Sequence, residues 1–121
     1  MSDVLVCSNE KKYRIISSEL FNKWDISCKH LNTDDCLVKI RKISRTIEQA
    51  DKLIVDLDDI TTATVVAMSF AYSYNVEIIG MFGTDMQEKR KELIEENKGQ
   101  LLDLCDELIE MDDIGDVVWT Q

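Results

Sequence analysis

The sequence contains no proline and a single histidine, and no two of its four cysteines stand close enough for a CxxC pair. Each absence excludes something. Without paired cysteines a zinc site has no local support, and nothing suggests a disulfide framework. Cys7 and Cys28 fall inside apolar runs and read as buried thiols. No apolar run approaches the roughly 20 residues that a membrane span needs. No secretory leader is visible, because Met1–Cys7 carries Asp3 and charged residues follow at once. These features predict a chain kept in a reducing cytoplasm. There is no repeat, low-complexity tract or interdomain linker, so residues 1–121 read as one domain, long enough for a single core.

Basic charge is also scarce. Fourteen Lys and Arg face 24 Asp and Glu, a net charge of −10. Binding a nucleic-acid backbone or an anionic membrane needs clustered Lys and Arg, so neither is expected as a partner. The acid either keeps the chain soluble or forms a face that docks on a basic protein or mimics DNA. Apolar residues make up 45%, which excludes disorder on compositional grounds.

What is present alternates strand with helix. Asp3–Cys7 is a short apolar run that reads as a first strand, closed by the turn or cap signal Ser8-Asn9. Glu10–Trp24 places Tyr13, Ile16, Leu20 and Trp24 at helical spacing. Ile26–Leu31 reads as an edge strand, and Asn32-Thr33-Asp34 caps a helix over Cys36–Ala50. Lys52–Leu57 is the strongest strand, rich in β-branched residues. A helix capped by Thr61 or Thr62 runs to about Tyr74 and is apolar nearly all round, which predicts burial on several sides. Val76–Phe82 is a fourth strand, closed by Gly83-Thr84. Met86–Leu104 is helical with a break at Gly99, Asp106–Met111 a fifth strand, and Asp113–Trp119 a short closing helix. Strict alternation with short links implies right-handed crossovers and a parallel sheet covered on both faces. The expectation is a flavodoxin-like, Rossmann-like three-layer α/β sandwich with five strands in the order 2-1-3-4-5. Such sheets bind ligands beyond the carboxyl ends of strands 1 and 3, here at Ser8–Lys11, Asp56–Thr62, Gly83–Asp85 and the loop after Met111.

The stretch ADKLIVDLDDITTATVVAMSFAYSYNVEIIGMF, residues 50–82, resembles the core of the nucleoside 2-deoxyribosyltransferases and the related 2′-deoxynucleoside 5′-phosphate N-hydrolases. Those families carry an A-D-x-h-h-A-D/E strand (h, apolar), a loop, D-x-G-T-x-x-E-x-G-x-A on a helix, then a K-P-V-I-G type strand. Ala50-Asp51 opens the strand here and Asp56 closes it. The helix motif falls on Thr61–Ala71, and Val76–Gly80 matches the next strand. The resemblance covers roughly residues 34–83. It implies a nucleoside, nucleotide or nucleotide-derived ligand and a homo-oligomer whose subunits complete each other's sites. The departures fall on the chemistry. Ala67 stands where the family's nucleophilic glutamate would be, Thr61 replaces the motif aspartate, and Ala63 and Ser69 replace its glycines. Cys7-Ser8-Asn9-Glu10 lacks the family's usual first-loop glycine. A methyl group cannot attack an anomeric carbon, so turnover should be lost and binding kept. The expected ligand contacts are Ser8, Asn9, Asp56, Asp58, Thr62, Thr64, Ala67 and Gly83, with no metal or cofactor called for.

Three other readings stay open. Asp56 and Asp58 lie two apart at a strand end and either replace the missing glutamate, hold a metal or share a proton, or are a solvated loop in which Asp59 helps cap the next helix. Asp56 also suits a response-regulator receiver, with Thr84 near the end of strand four. The first strand lacks the acidic pair that holds Mg²⁺, however, and the fifth lacks a terminal Lys. Finally, the chain is a ligand-free interaction module that uses its acidic surface. Lone His30 reads as structural or exposed. Phe70, Tyr72 and Tyr74 read as core, subunit contact or a wall for stacking a base, and Trp119 as packing for the C-terminus or a second subunit.

Overall fold

Strand β3 (Lys52–Asp56) is buried at every position, as its unbroken apolar run requires of a strand covered on both faces. The computed structural model describes residues 4–31 and 39–116, without the side chains of 4–7, 115 and 116. In chain order the elements are β1 (Val4–Cys7), α1 (Glu10–Trp24), β2 (Cys28–His30), α2 (Ile40–Glu48), β3, α3 (Thr62–Ser73), β4 (Glu77–Phe82), α4 (Met86–Glu95), α5 (Gly99–Asp103), β5 (Glu107–Glu110) and a 3-10 turn (Met111–Asp116). The strands pair in the order β2-β1-β3-β4-β5 and every pairing is parallel. The chain is thus α/β with a parallel, flavodoxin-like sheet.

Side chains alternate across the pleat and divide the core in two. Leu53 and Val55 of β3, with Ile78 and Phe82 of β4, pack beneath α2, α3 and α4 with Ile43, Ile47, Ala67, Met68, Ala71 and Leu93. Ile54, Ile79 and Met81 point the other way, against Ile16 and Leu20 of α1 and Ile114 of the 3-10 turn. The helix α3 is less enclosed than its composition predicts. Thr64, Ala67, Met68 and Ala71 are buried, while Val65 and Tyr72 face solvent.

With no proline, α1, α3 and α4 are stopped at Asp25, Asn75 and Asn97. Asn75 and Asn97 adopt left-handed backbone (φ 59° and 61°) just beyond α3 and α4. In each case the next amide reaches back into the last turn, Val76 N to Ala71 O (2.9 Å) and Lys98 N to Leu93 O (2.8 Å), which satisfies carbonyls left over at a helix end. The helix expected over 86–104 with a break at Gly99 is indeed interrupted, but the break falls at Asn97, and Gly99 opens α5. The expected closing helix over 113–119 is instead the 3-10 turn, which begins earlier, at Met111. Residues 117–119 of the expected helix, including Trp119, lie outside the described residues, as do Cys36 and the cap at 32–34. No helix among the described residues is long and apolar enough to cross a membrane.

Gly80 in β4 has no room for a side chain. A Cβ there would lie 2.7 Å from Leu57 Cδ1 and 2.8 Å from both Cys105 Sγ and Leu108 Cδ2. At Gly99 the nearest atom would be Ile94 Cγ1 at 3.4 Å, an ordinary contact. Gly80→Ala should therefore cost about 1–3 kcal/mol by overpacking, whereas Gly99→Ala should stay within about 1 kcal/mol of the parent. Urea unfolding of the two variants checks the contrast, and equal midpoints would contradict it.

Candidate functional site

The carboxyl ends of β1, β3 and β4 converge on one ion-paired cluster. Asp56, the last residue of β3, has a side chain only 1% exposed. Lys12, in the first turn of α1, extends its ammonium to both carboxylate oxygens, Nζ lying 3.0 Å from Oδ1 and 3.0 Å from Oδ2. The same ammonium stands 3.3 Å from Asp58 Oδ2. Asp56 Oδ1 also accepts from the Asp58 backbone N–H (3.0 Å), and Asp58 Oδ2 from the Gly83 N–H (2.8 Å). A side chain on Gly83 would collide with that oxygen, since its Cβ would lie 2.8 Å away. One lysine thus gathers α1, the end of β3 and the loop that β4 feeds.

Burial and charge oppose each other in this pair. Burial pushes the Asp56 carboxyl up; the Lys12 hydrogen bond and charge and the Asp58 amide pull it back, leaving it above its usual value. Partial burial works to lower the Lys12 ammonium, but the hydrogen bonds and charges of Asp56 and Asp58 outweigh it, and the net shift is upward. The two directions coexist because Asp56 is the deeper partner, with the Lys12 side chain 21% exposed.

The other expected contacts separate into rim and core. Ser8 and Asn9 sit at the mouth, but both are engaged locally. Ser8 Oγ donates to the Asn9 carbonyl (3.2 Å), and Asn9 Oδ1 caps α1 by accepting from Lys12 N (2.9 Å). Thr62 is exposed on the first turn of α3. Thr64 is not a surface contact: it is 3% exposed and forms a reciprocal capping box with Thr61, which caps α3 in place of Asp59. Ala67 is a core residue, 0% exposed among Leu53, Val55 and Met68, so it offers nothing to a ligand at the strand ends. Asp56 and Asp58 are brought together, as their spacing predicts, yet around a lysine and not around open space.

Neither Cys28 nor Cys105, the two cysteines whose side chains are described, is a ready nucleophile. Burial pushes Cys28 up to about 11, and burial with the neighbouring Asp106 charge pushes Cys105 up to about 12. His30 is structural: its ring stacks on Tyr13 (centroids 4.7 Å apart) and Nε2 donates to the Ser8 carbonyl (2.6 Å), tying β2 to the loop after β1. No group of three or more potential metal-ligating side chains occurs among the described residues.

Removing Lys12 strands a buried carboxylate. Lys12→Met should destabilise the fold by about 3–5 kcal/mol at neutral pH, and Asp56→Asn added to it should restore most of the loss. The folded state holds the Asp56 proton more tightly than the unfolded chain. As pH falls the folded carboxyl therefore protonates first, and the penalty, full above the folded pKa, disappears below the unfolded one. The Lys12→Met deficit should thus shrink on acidification. Chemical unfolding of the three proteins across pH checks this; a pH-independent deficit would contradict it.

No protein-family model and no curated protein matches the chain. Solved structures do. A conserved protein from Enterococcus faecalis superposes with a TM-score of 0.67 at 9% identity, covering 96% of each chain. A pilus assembly-related protein from Burkholderia pseudomallei gives 0.61 at 12% identity, covering 91% of this chain and 78% of that one. The signal receiver domain of a Luxo repressor protein from Vibrio parahaemolyticus gives 0.58 at 15% identity, covering 95% and 85%. At such identities what is shared is the fold, the parallel flavodoxin-like sandwich that receiver domains also use.

Proposed function

We propose that this chain is a receiver-like binding module that performs neither phosphoryl transfer nor glycosyl transfer and works through its surface. The observation that carries this reading is the Lys12 ammonium on both oxygens of Asp56 and on Asp58. Polar groups already paired within the chain must give up those partners before they can serve a ligand. Here the carboxylates already have a tethered cation and two backbone amides. A divalent ion would have to displace Lys12, and Asp56 is too enclosed and too well paired to attack a phosphoryl donor. The buried methyl of Ala67 removes the glycosyl nucleophile that the deoxyribosyltransferase resemblance would require. A reducing, cytoplasmic setting suits the free thiols of Cys28 and Cys105.

The rival reading is a nucleotide-binding domain. Its ligand would pull Lys12 from Asp56 or dock on the exposed rim of Asn9 and Thr62. The two separate in a single set of titrations. Amide spectra of the labelled protein are recorded with deoxynucleosides and their 5′-monophosphates, and separately with Mg²⁺ and acetyl phosphate. The expected outcome is no saturable shift at Asp58, Gly83 or Thr62 and no gain of phosphoryl mass. A saturable shift at those amides would establish the nucleotide reading, and phosphate on Asp56 a working receiver.

A further inference from the structure

The charge is distributed unevenly over the surface. Residues 39–49, which hold α2, carry Lys39, Arg41, Lys42 and Arg45 against Glu48 alone, a net +3 in a chain of net −10. Arg41, Lys42 and Arg45 are exposed, and none is ion-paired among the described residues. Internal pairing takes up basic side chains elsewhere: Lys12 with Asp56 and Asp58, Arg14 with Glu10, Lys23 with Glu19, Lys52 with Glu77 and Lys89 with Glu92. A helix whose arginines stay unpaired in so acidic a protein offers its charge outward.

Beside that helix lies an apolar groove. Ile40, Arg41, Ser44, Arg45 and Glu48 of α2 line a cleft of about 430 Å³ together with Phe70 of α3 and Tyr74 just beyond it. The Phe70 and Tyr74 rings stack (centroids 6.3 Å apart, planes 13° from parallel). The Tyr74 hydroxyl lies 2.5 Å from Ser44 Oγ, which fixes the aromatic wall against α2. Ile40 and Tyr74 are more than one-third exposed. Aromatic and arginine side chains around an apolar floor are the composition that dominates the energetics of protein interfaces.

We propose that the α2–α3 groove binds an acidic amphipathic segment of another protein. Its apolar side chains would rest on Ile40, Phe70 and Tyr74, and its carboxylates would pair with Arg41 and Arg45. The choice of occupant follows from charge. A two-fold contact with a second copy sets one patch against itself, which would bring two basic α2 faces together. An acidic segment meets the exposed arginines with opposite charge and needs no such repulsion. An amphipathic helix laid in a hydrophobic groove is a recurrent way of reading such a surface. The inference rests on the binding-module reading and names the face that module would use.

The test uses a synthetic helical peptide with Leu and Phe at i, i+3, i+4 and i+7 and Glu elsewhere, together with a twin bearing Lys for every Glu. Anisotropy gives affinity, and amide shifts of the labelled full chain give location. The Glu peptide should bind, shift Ile40, Ser44, Phe70 and Tyr74, and weaken as salt rises. Arg41→Glu with Arg45→Glu should weaken binding about tenfold or more, while Lys91→Glu on α4 should leave it unchanged. Absence of binding, equal binding of the two peptides, or indifference to the arginine reversal would overturn the proposal. Shifts confined to another face would overturn the groove while leaving the binding-module reading intact. A nucleotide bound at Asp58 and Gly83 would instead overturn that reading.

Discussion

A carboxylate removed from water at the end of a central strand needs a cation, and in this chain the cation is Lys12. The constraint is severe because β3 is buried at every position and the Asp56 side chain is only 1% exposed. Its charge must be neutralised within the fold. Lys12 does this only if α1 begins where Asn9 caps it and packs on the sheet through Ile16 and Leu20. The entry of α1, the turn after β3 and the loop after β4 are thus positioned by one ammonium group and the two carboxylates it serves.

That arrangement separates the fold from the chemistry such folds often carry. Parallel sheets of this type collect loops at the carboxyl ends of their strands, and the acidic pair Asp56 and Asp58 stands in that place here. A lysine tethered in the same chain cannot diffuse away, as a metal ion or a substrate does. On the proposed reading the cluster is a structural fastening. The groove between α2 and α3, with exposed Ile40 and Tyr74 beside Arg41 and Arg45, lies on the flank, away from that cluster.

The central architecture was legible because its signals are local. Lys52–Asp56 shows its burial as an unbroken apolar run, and the period-two division of Leu53 and Val55 from Ile54 is ordinary strand geometry. The helix stops at Asn75 and Asn97 were harder to see, because either residue could equally have been a polar surface position. Lys12 was missed for a different reason. Its partner is 44 residues away in sequence, and within Glu10–Arg14 it looks like one more charge on a solvated turn. The signal was its phase: Lys12, Ile16 and Leu20 recur every four residues, which sets the lysine on the buried stripe of α1. Thr64 and Ala67 were misread by the opposite error. Their place in a motif suggested a ligand surface, whereas their phase on α3 turns them to the helix's own cap and to the core.

The role of Lys12 is read in the state of one carboxyl group. Carbon-13 titration of the Asp56 side chain, in the parent protein and in Lys12→Met, measures it directly. The expected result is an Asp56 pKa above that of an ordinary aspartate in the parent, rising further once the ammonium is gone. An Asp56 carboxyl that Lys12→Met leaves unmoved would show that Lys12 does not close the site.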